Sequence, residues 1–194
     1  MHIVMLTLPE SRQTSVLMMM CNIFSDDNKK IKNELHITIQ GPVKEYPDKD
    51  RLLNIKNIMK YRNERLLISG IGFFKNENKQ VVYLKVQGEW LKNYWYKPDY
   101  PIKEFGFNPH ITLYEGVDEI KANLIFKFLS KEKIDLIVED TEVSVKSLKQ
   151  KDLFVLETEP ALNNNVRGVL PSELLNRAEN LIKEYNKKIY INAI

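Results

Sequence analysis

A chain of 194 residues has the size of one domain and can bury a core without disulfide or metal staples. Its hydrophobic content of 43% and charged content of 28% match ordinary soluble globular usage, which excludes wholesale disorder and fibrous architectures. The net charge of +3 is spread along the chain, so stable duplex DNA binding is not expected, although a cleft can focus such a charge on a small anion.

The start of the chain has no basic stretch leading into a long apolar one, and no window approaches the ~20 apolar residues of a membrane span. A cytoplasmic monomer without a membrane anchor is expected. Residues 3–8 read as a short strand closed by Pro9, and residues 13–24 as a Met-rich buried helix in which Met18, Met19 and Met20 pack the core. Cys21, in that helix, is the only cysteine; neither an intrachain disulfide nor a multi-cysteine zinc site is possible, and a reducing compartment fits.

Residues 35–40 predict a strand ended by the turn signal Gly41-Pro42, and Leu52, Ile55 and Met59 recur at helical spacing before a strand over residues 65–74. A similar order then repeats: a strand at 81–87, an aromatic segment at 90–96, a loop with Pro98 and Pro101, and a strand at 110–114. A helix marked by Ile120, Leu124 and Phe128 comes next, then β-type residues over 134–145 and a strand at 153–157. Residues 159–171, rich in Asn and bounded by prolines, read as a surface loop. Leu174, Ala178, Leu181 and Tyr185 form the stripe of an amphipathic helix over about 172–188. The chain thus reads as one α+β domain with two pseudo-repeats, about 1–75 and 80–158.

Of three histidines, two lie in matching strings, Leu-His36-Ile-Thr38-Ile and Pro-His110-Ile-Thr112-Leu. One His-x-Thr is an ordinary strand fragment. In a shuffled sequence a given His precedes Ile-Thr on the order of once in a few hundred times, so two copies 74 residues apart point to duplication. On a strand, residues i and i+2 share a face, so each copy presents an imidazole beside a hydroxyl, opposite its apolar residues. Phosphoester displacement needs a base on the attacking oxygen and an acid on the leaving one, and two histidines supply both near neutral pH. Two threonine hydroxyls can donate to the non-bridging oxygens. No metal or cofactor is needed, and no His/Asp cluster with ligand spacing appears.

On these residues the chain resembles the two-histidine (2H) phosphoesterase superfamily, which includes 2′-5′ RNA ligase-like proteins and cyclic phosphodiesterases. The likeness runs from Ile3 to about Glu157. It implies a bilobal α+β fold, with two pseudo-symmetric lobes of antiparallel sheet around a central cleft, and His36, Thr38, His110 and Thr112 as the catalytic set. The implied activity is metal-independent hydrolysis of a phosphodiester in a nucleotide or RNA end, foremost a 2′,3′-cyclic phosphate. Degradation of 2′-5′ oligoadenylate or cyclic oligonucleotide signals, and a non-catalytic RNA- or nucleotide-binding module, are the alternatives. Some members carry an arginine shortly after the second motif, where this chain has Tyr114-Glu115, so a basic contact is not expected there. Nucleotide hydrolases of the histidine-triad type need several histidines on one strand, and they are set aside.

For substrate contacts, Tyr114 follows Thr112 by two and should share its face, and Tyr46 follows the first motif in a loop; either is placed to stack a base. Trp95 and Phe107, with Tyr96, Tyr100 and Phe105, crowd the segment before His110 and are expected to wall a nucleotide pocket. Lys85 and Lys103 are the lysines expected near phosphate.

Overall fold

A computed structural model describes residues 1–26, 34–76, 78–96, 102–147 and 165–192. The chain is a mixed α+β protein in which the helices pack on two antiparallel sheets. The smaller sheet contains β1 (His2–Thr7), β2 (His36–Val43) and β7 (Glu142–Ser147), in the order β2-β1-β7. The larger contains β3 (Leu66–Asn76), β4 (Lys79–Gln87), β5 (His110–Gly116), β6 (Asp135–Val138) and β8 (Val166–Val169), in the order β5-β4-β3-β6-β8.

Three helices begin where a short polar side chain holds one of their first free N–H groups. Ser11 caps α1 (Arg12–Phe24) in a reciprocal capping box with Thr14. Asp48 accepts from the Arg51 amide at the head of α2 (Lys49–Arg62), and Asp118 from the Lys121 amide at the head of α4 (Glu119–Leu129). Each such cap stabilises its helix by about 1 kcal/mol. Asn63 ends α2 in the left-handed conformation at φ 53°, where Asn is tolerated. The short α3 (Ile102–Phe105) and the long α5 (Leu174–Asn192) complete the α-helices among the described residues, and a 3-10 turn spans Glu89–Asn93.

One core joins both sheets. Val4, Leu6, Ile37 and Ile39 of the smaller sheet and Val82, Leu84 and Ile111 of the larger meet Leu17, Met20 and Phe24 of α1 and Ala122, Ile125 and Leu129 of α4. All are essentially dry, and each large one contributes roughly 1.5–3 kcal/mol by leaving water. Met19 instead faces solvent, so two rather than three of the consecutive methionines pack inward.

Several expectations are corrected. Gly41-Pro42 does not turn the chain but lies inside β2. This is possible because the pairing with β1 shifts by one residue there, between Val4–Gln40 and His2–Val43, and Pro is tolerated at such a bulge. The β-type run 134–145 is two strands, β6 and β7, which join different sheets. The buried stripe of α4 is Lys121, Ala122, Ile125 and Leu129, and Ile120 is exposed. Lys121 hides its apolar stem while its ammonium reaches Asp26, so a hydrophobic count passes over it. Of the expected loop 159–171, residues 166–169 form β8 on the edge of the larger sheet. The expected strand 153–157, and Pro98, Tyr100 and Pro101, lie outside the described residues. The stripe of α5 holds as Leu174, Ala178 and Tyr185, with Ile182 more buried than Leu181.

Candidate active site

The two His-x-Thr strings occupy matching places. Each begins an edge strand, β2 or β5, that pairs antiparallel with the strand before it. In the smaller sheet Thr7 faces His36 and Met5 faces Thr38; in the larger, Lys85 faces His110 and Tyr83 faces Thr112. Both strands then bulge one residue past the threonine, since Val4 faces Gln40 and Val82 faces Tyr114. The isoleucines between and after these residues enter the core, whereas His36, Thr38, His110 and Thr112 are all half-buried on the other face. The two motif strands approach each other within 8 Å, Cα to Cα.

His110 is held on several sides. Its Nδ1 lies 2.9 Å from the backbone oxygen of Asn108; a carbonyl only accepts, so Nδ1 carries the hydrogen and the acceptor of the neutral ring is Nε2. The ring packs edge-to-face on Phe74 at 5.1 Å and lies 4.9 Å from Tyr83. Phe74 stacks on Tyr83 at 4.4 Å and meets Phe105 of α3 at the same separation. The Asn108 amide donates to the Tyr83 hydroxyl at 2.8 Å, so one residue orients His110 through its backbone and Tyr83 through its side chain. Burial raises the Tyr83 phenol above its ordinary range, and the hydrogen bond from Asn108 offsets part of that rise. Tyr83 lies across Gly72 of β3, where any Cβ would overlap the phenol ring.

His36 has a different setting. Its Nδ1 is shut off from solvent. Beside it, Thr7 shares a hydroxyl hydrogen bond with Ser144 of β7 at 3.1 Å, where the larger sheet has the charged Lys85. The two motif strands therefore carry like motifs in unlike surroundings.

The expected substrate contacts divide. Trp95 and Phe107 come together edge-to-face at 5.2 Å, and both pack partly against the core. Tyr96, next to Trp95, pairs with β2 by donating to the Ile39 oxygen and accepting from the Gly41 amide, each at 3.0 Å. That aromatic segment therefore lines the free edge of β2. Tyr114 does not share the face of Thr112, because the bulge at Leu113 turns it inward: it is 2% exposed and donates to Asp26 at 2.9 Å. Tyr46 is exposed and packs on His2 at 5.3 Å, past the far end of β2. At about 3.3 Å per residue that is roughly 20 Å along the strand from His36, too far to stack a base there.

Tyr114 instead belongs to a polar network behind the site. Lys121, 5% exposed, pairs with Asp26 at 2.5 Å, while Tyr185 of α5 donates to Asp118. Burial and the two aspartates push the Tyr114 phenol well up, and burial with Asp118 pushes Tyr185 up to about 12. Burial would raise the Asp118 carboxyl, but hydrogen bonds from the Lys121 amide and Tyr185 outweigh it and leave it below its usual range.

Sequence reasoning missed Asn108 and Tyr83, and named Lys85 beside Lys103 without placing it against His110. The signal for Lys85 and Tyr83 was the alternation in β4: once β4 pairs with β5, they must flank His110 and Thr112. Asn108 gives no signal beyond its place two residues before the histidine. No helix among the described residues is long and apolar enough to cross a membrane. No family model matches the sequence, and no curated protein matches it.

Proposed function

We propose that the chain is a metal-independent phosphodiesterase of the 2H type that hydrolyses a phosphodiester in a nucleotide or RNA end, foremost a 2′,3′-cyclic phosphate. In this reading the two sheets are the lobes of a bilobal fold, and His36, Thr38, His110 and Thr112 converge on a phosphate between them. One observation carries it: two His-x-Thr edge strands near one another, each paired in the same register and each bulged after its threonine.

The chemistry follows from the inventory of groups. One imidazole takes a proton from water as its oxygen attacks phosphorus, the other gives a proton to the departing ribose oxygen, and the P–O ring bond opens to a monoester. The side of phosphorus from which the ribose oxygen leaves decides which ring does which. The Asn108 oxygen keeps Nε2 of His110 as the working nitrogen, and the Phe74–Tyr83 pair limits tilt of its ring. Thr38 and Thr112 supply hydroxyl donors to the non-bridging oxygens as charge grows.

The test is a screen of mononucleoside 2′,3′-cyclic phosphates, cyclic-phosphate-ended RNA, 2′-5′ oligoadenylate and cyclic dinucleotides, with products identified chromatographically in excess chelator. Turnover of the cyclic-phosphate substrates that falls ~10² to 10⁴-fold in His36→Ala and in His110→Ala is expected. Turnover confined to 2′-5′ or cyclic dinucleotide substrates would select the signal-degrading alternative. Turnover abolished by chelator and restored by a divalent ion would overturn the mechanism.

A further inference from the structure

The open face of the larger sheet extends past His110. Residues 83, 85 and 87 of β4 alternate onto that face, where Lys85 stands directly across from His110 and Gln87 across from Leu67 of β3. A surface pocket of about 680 Å3 lies there, lined by Arg65, Leu67, Lys85, Gln87, Phe107 and Asn108. It borders the candidate site, because Asn108 both lines it and holds His110.

We infer that this pocket is a subsite for a second nucleotide, so that the substrate is a single-stranded oligonucleotide end rather than a free mononucleotide. The inference rests on the phosphodiesterase reading above. Three features set the ligand's chemistry. Lys85, exposed and forming no ion pair with a described residue, stands one cross-strand step from His110, the place of the next phosphate along a chain. Leu67, 43% exposed on a sheet face, and the partly exposed Phe107 ring, over which Lys92 lies at 5.4 Å, offer apolar surface for a base. Arg65, which also reaches Glu139 at 3.7 Å, adds a second cation, and of the two glutamates bordering the pocket, Glu64 and Glu89, the second is held by Lys92 at 2.5 Å. A mononucleotide seated at His110 leaves all of this unused.

The experiment compares kcat/KM for a dinucleotide ending in a 2′,3′-cyclic phosphate with that for the matching mononucleoside 2′,3′-cyclic phosphate. It is run in the wild type, Lys85→Met and Phe107→Ala, with melting curves to verify folding. Because Phe107 also packs on Trp95, the exposed Lys85 gives the variant least able to disturb the fold. The wild type is expected to prefer the dinucleotide by about 10- to 100-fold, the effect of one stacked base and one phosphate contact, and the ratio to fall by roughly 3- to 10-fold in Lys85→Met and in Phe107→Ala. Equal turnover of both substrates by the wild type would overturn the subsite and leave the phosphodiesterase reading standing. No turnover of either would remove that reading. The subsite is then decided by equilibrium binding of the dinucleotide and mononucleotide 3′-phosphates, which needs no catalysis: tighter dinucleotide binding that Lys85→Met weakens supports it, and equal binding ends it. Displacement of the dinucleotide by an aspartate-rich peptide at equal concentration would assign the pocket to an acidic protein partner and also overturn it.

Discussion

Gly72→Ala is a single methyl whose cost is set by one neighbour. A Cβ on Gly72 would overlap the Tyr83 ring at Cζ, Cε2 and Oη, so the ring must lift away from β3. Lifting it disturbs the stack on Phe74, the hydrogen bond from Asn108 and the contact with His110 together. Overpacking of this kind costs about 1–3 kcal/mol, and in a chain of this length each kcal/mol lowers Tm by about 2–4 °C. A fall of roughly 2–12 °C is therefore expected by calorimetry. Turnover of whichever phosphodiester the protein hydrolyses should fall by up to ~10²-fold if His110 moves by about 1 Å. The cause is isolated by repeating the change in a Tyr83→Ala background. There the clash is gone and only the strand preference remains, which favours Ala over Gly by about 0.5–1 kcal/mol. The coupling between the two positions should then be about 1.5–4 kcal/mol by urea unfolding. Additive effects, or a Gly72→Ala protein that melts like the wild type, would refute the role given to Tyr83.

Thr38→Ala and Thr112→Ala should each reduce turnover less than loss of a histidine does, and Thr→Ser should recover part of the loss; a serine variant as slow as the alanine one would deny the hydroxyl a role. Asn108→Ala removes the donor that lowers the Tyr83 phenol, so tyrosinate absorbance should place Tyr83 higher still, and a fall would contradict the assigned bond. Tyr114 and Tyr185 both ionise later in the fold than in the unfolded chain. Their stabilisation is complete below the unfolded value of ~10 and is lost as pH rises from there through about 12 for Tyr185. Urea midpoints should decline over that window and decline less in Tyr185→Phe; an identical slope would remove Tyr185 from the account. Lys121→Met keeps the buried stem and removes the charge facing Asp26, so it should destabilise less than Lys121→Ala when both are unfolded in urea.

The sequence made the local order of elements legible and left their partners hidden. His36-Ile-Thr38 and His110-Ile-Thr112 could be read as strands with one polar and one apolar face because alternation is a local property. The same alternation, continued one step too far, put Tyr114 beside Thr112. A bulge is set by pairing with β4 and leaves no mark in β5 alone except two successive apolar residues, Leu113 and Tyr114. Gly41-Pro42 misled for a related reason: whether Pro ends a strand depends on whether it falls at a bulge in the pairing, which is a fact about neighbours. The separation of 134–145 into strands of two sheets, and the register that sets Lys85 against His110, are likewise tertiary. Of the site, the catalytic candidates were visible as motif residues, whereas Asn108 and Tyr83 emerge only once β3, β4 and β5 lie side by side.

The sheet topology also sets a timetable for synthesis. β3 follows β2 in the chain but lies in the larger sheet, and the late strand β7 completes the smaller one by pairing Ser147 with His2. At about 5–20 residues per second, β1 leaves the ribosome roughly 7–30 s before the strand that covers its outer edge. Through that interval the nascent chain holds an apolar strand with one side unsatisfied, which is the stage at which it would most depend on a chaperone.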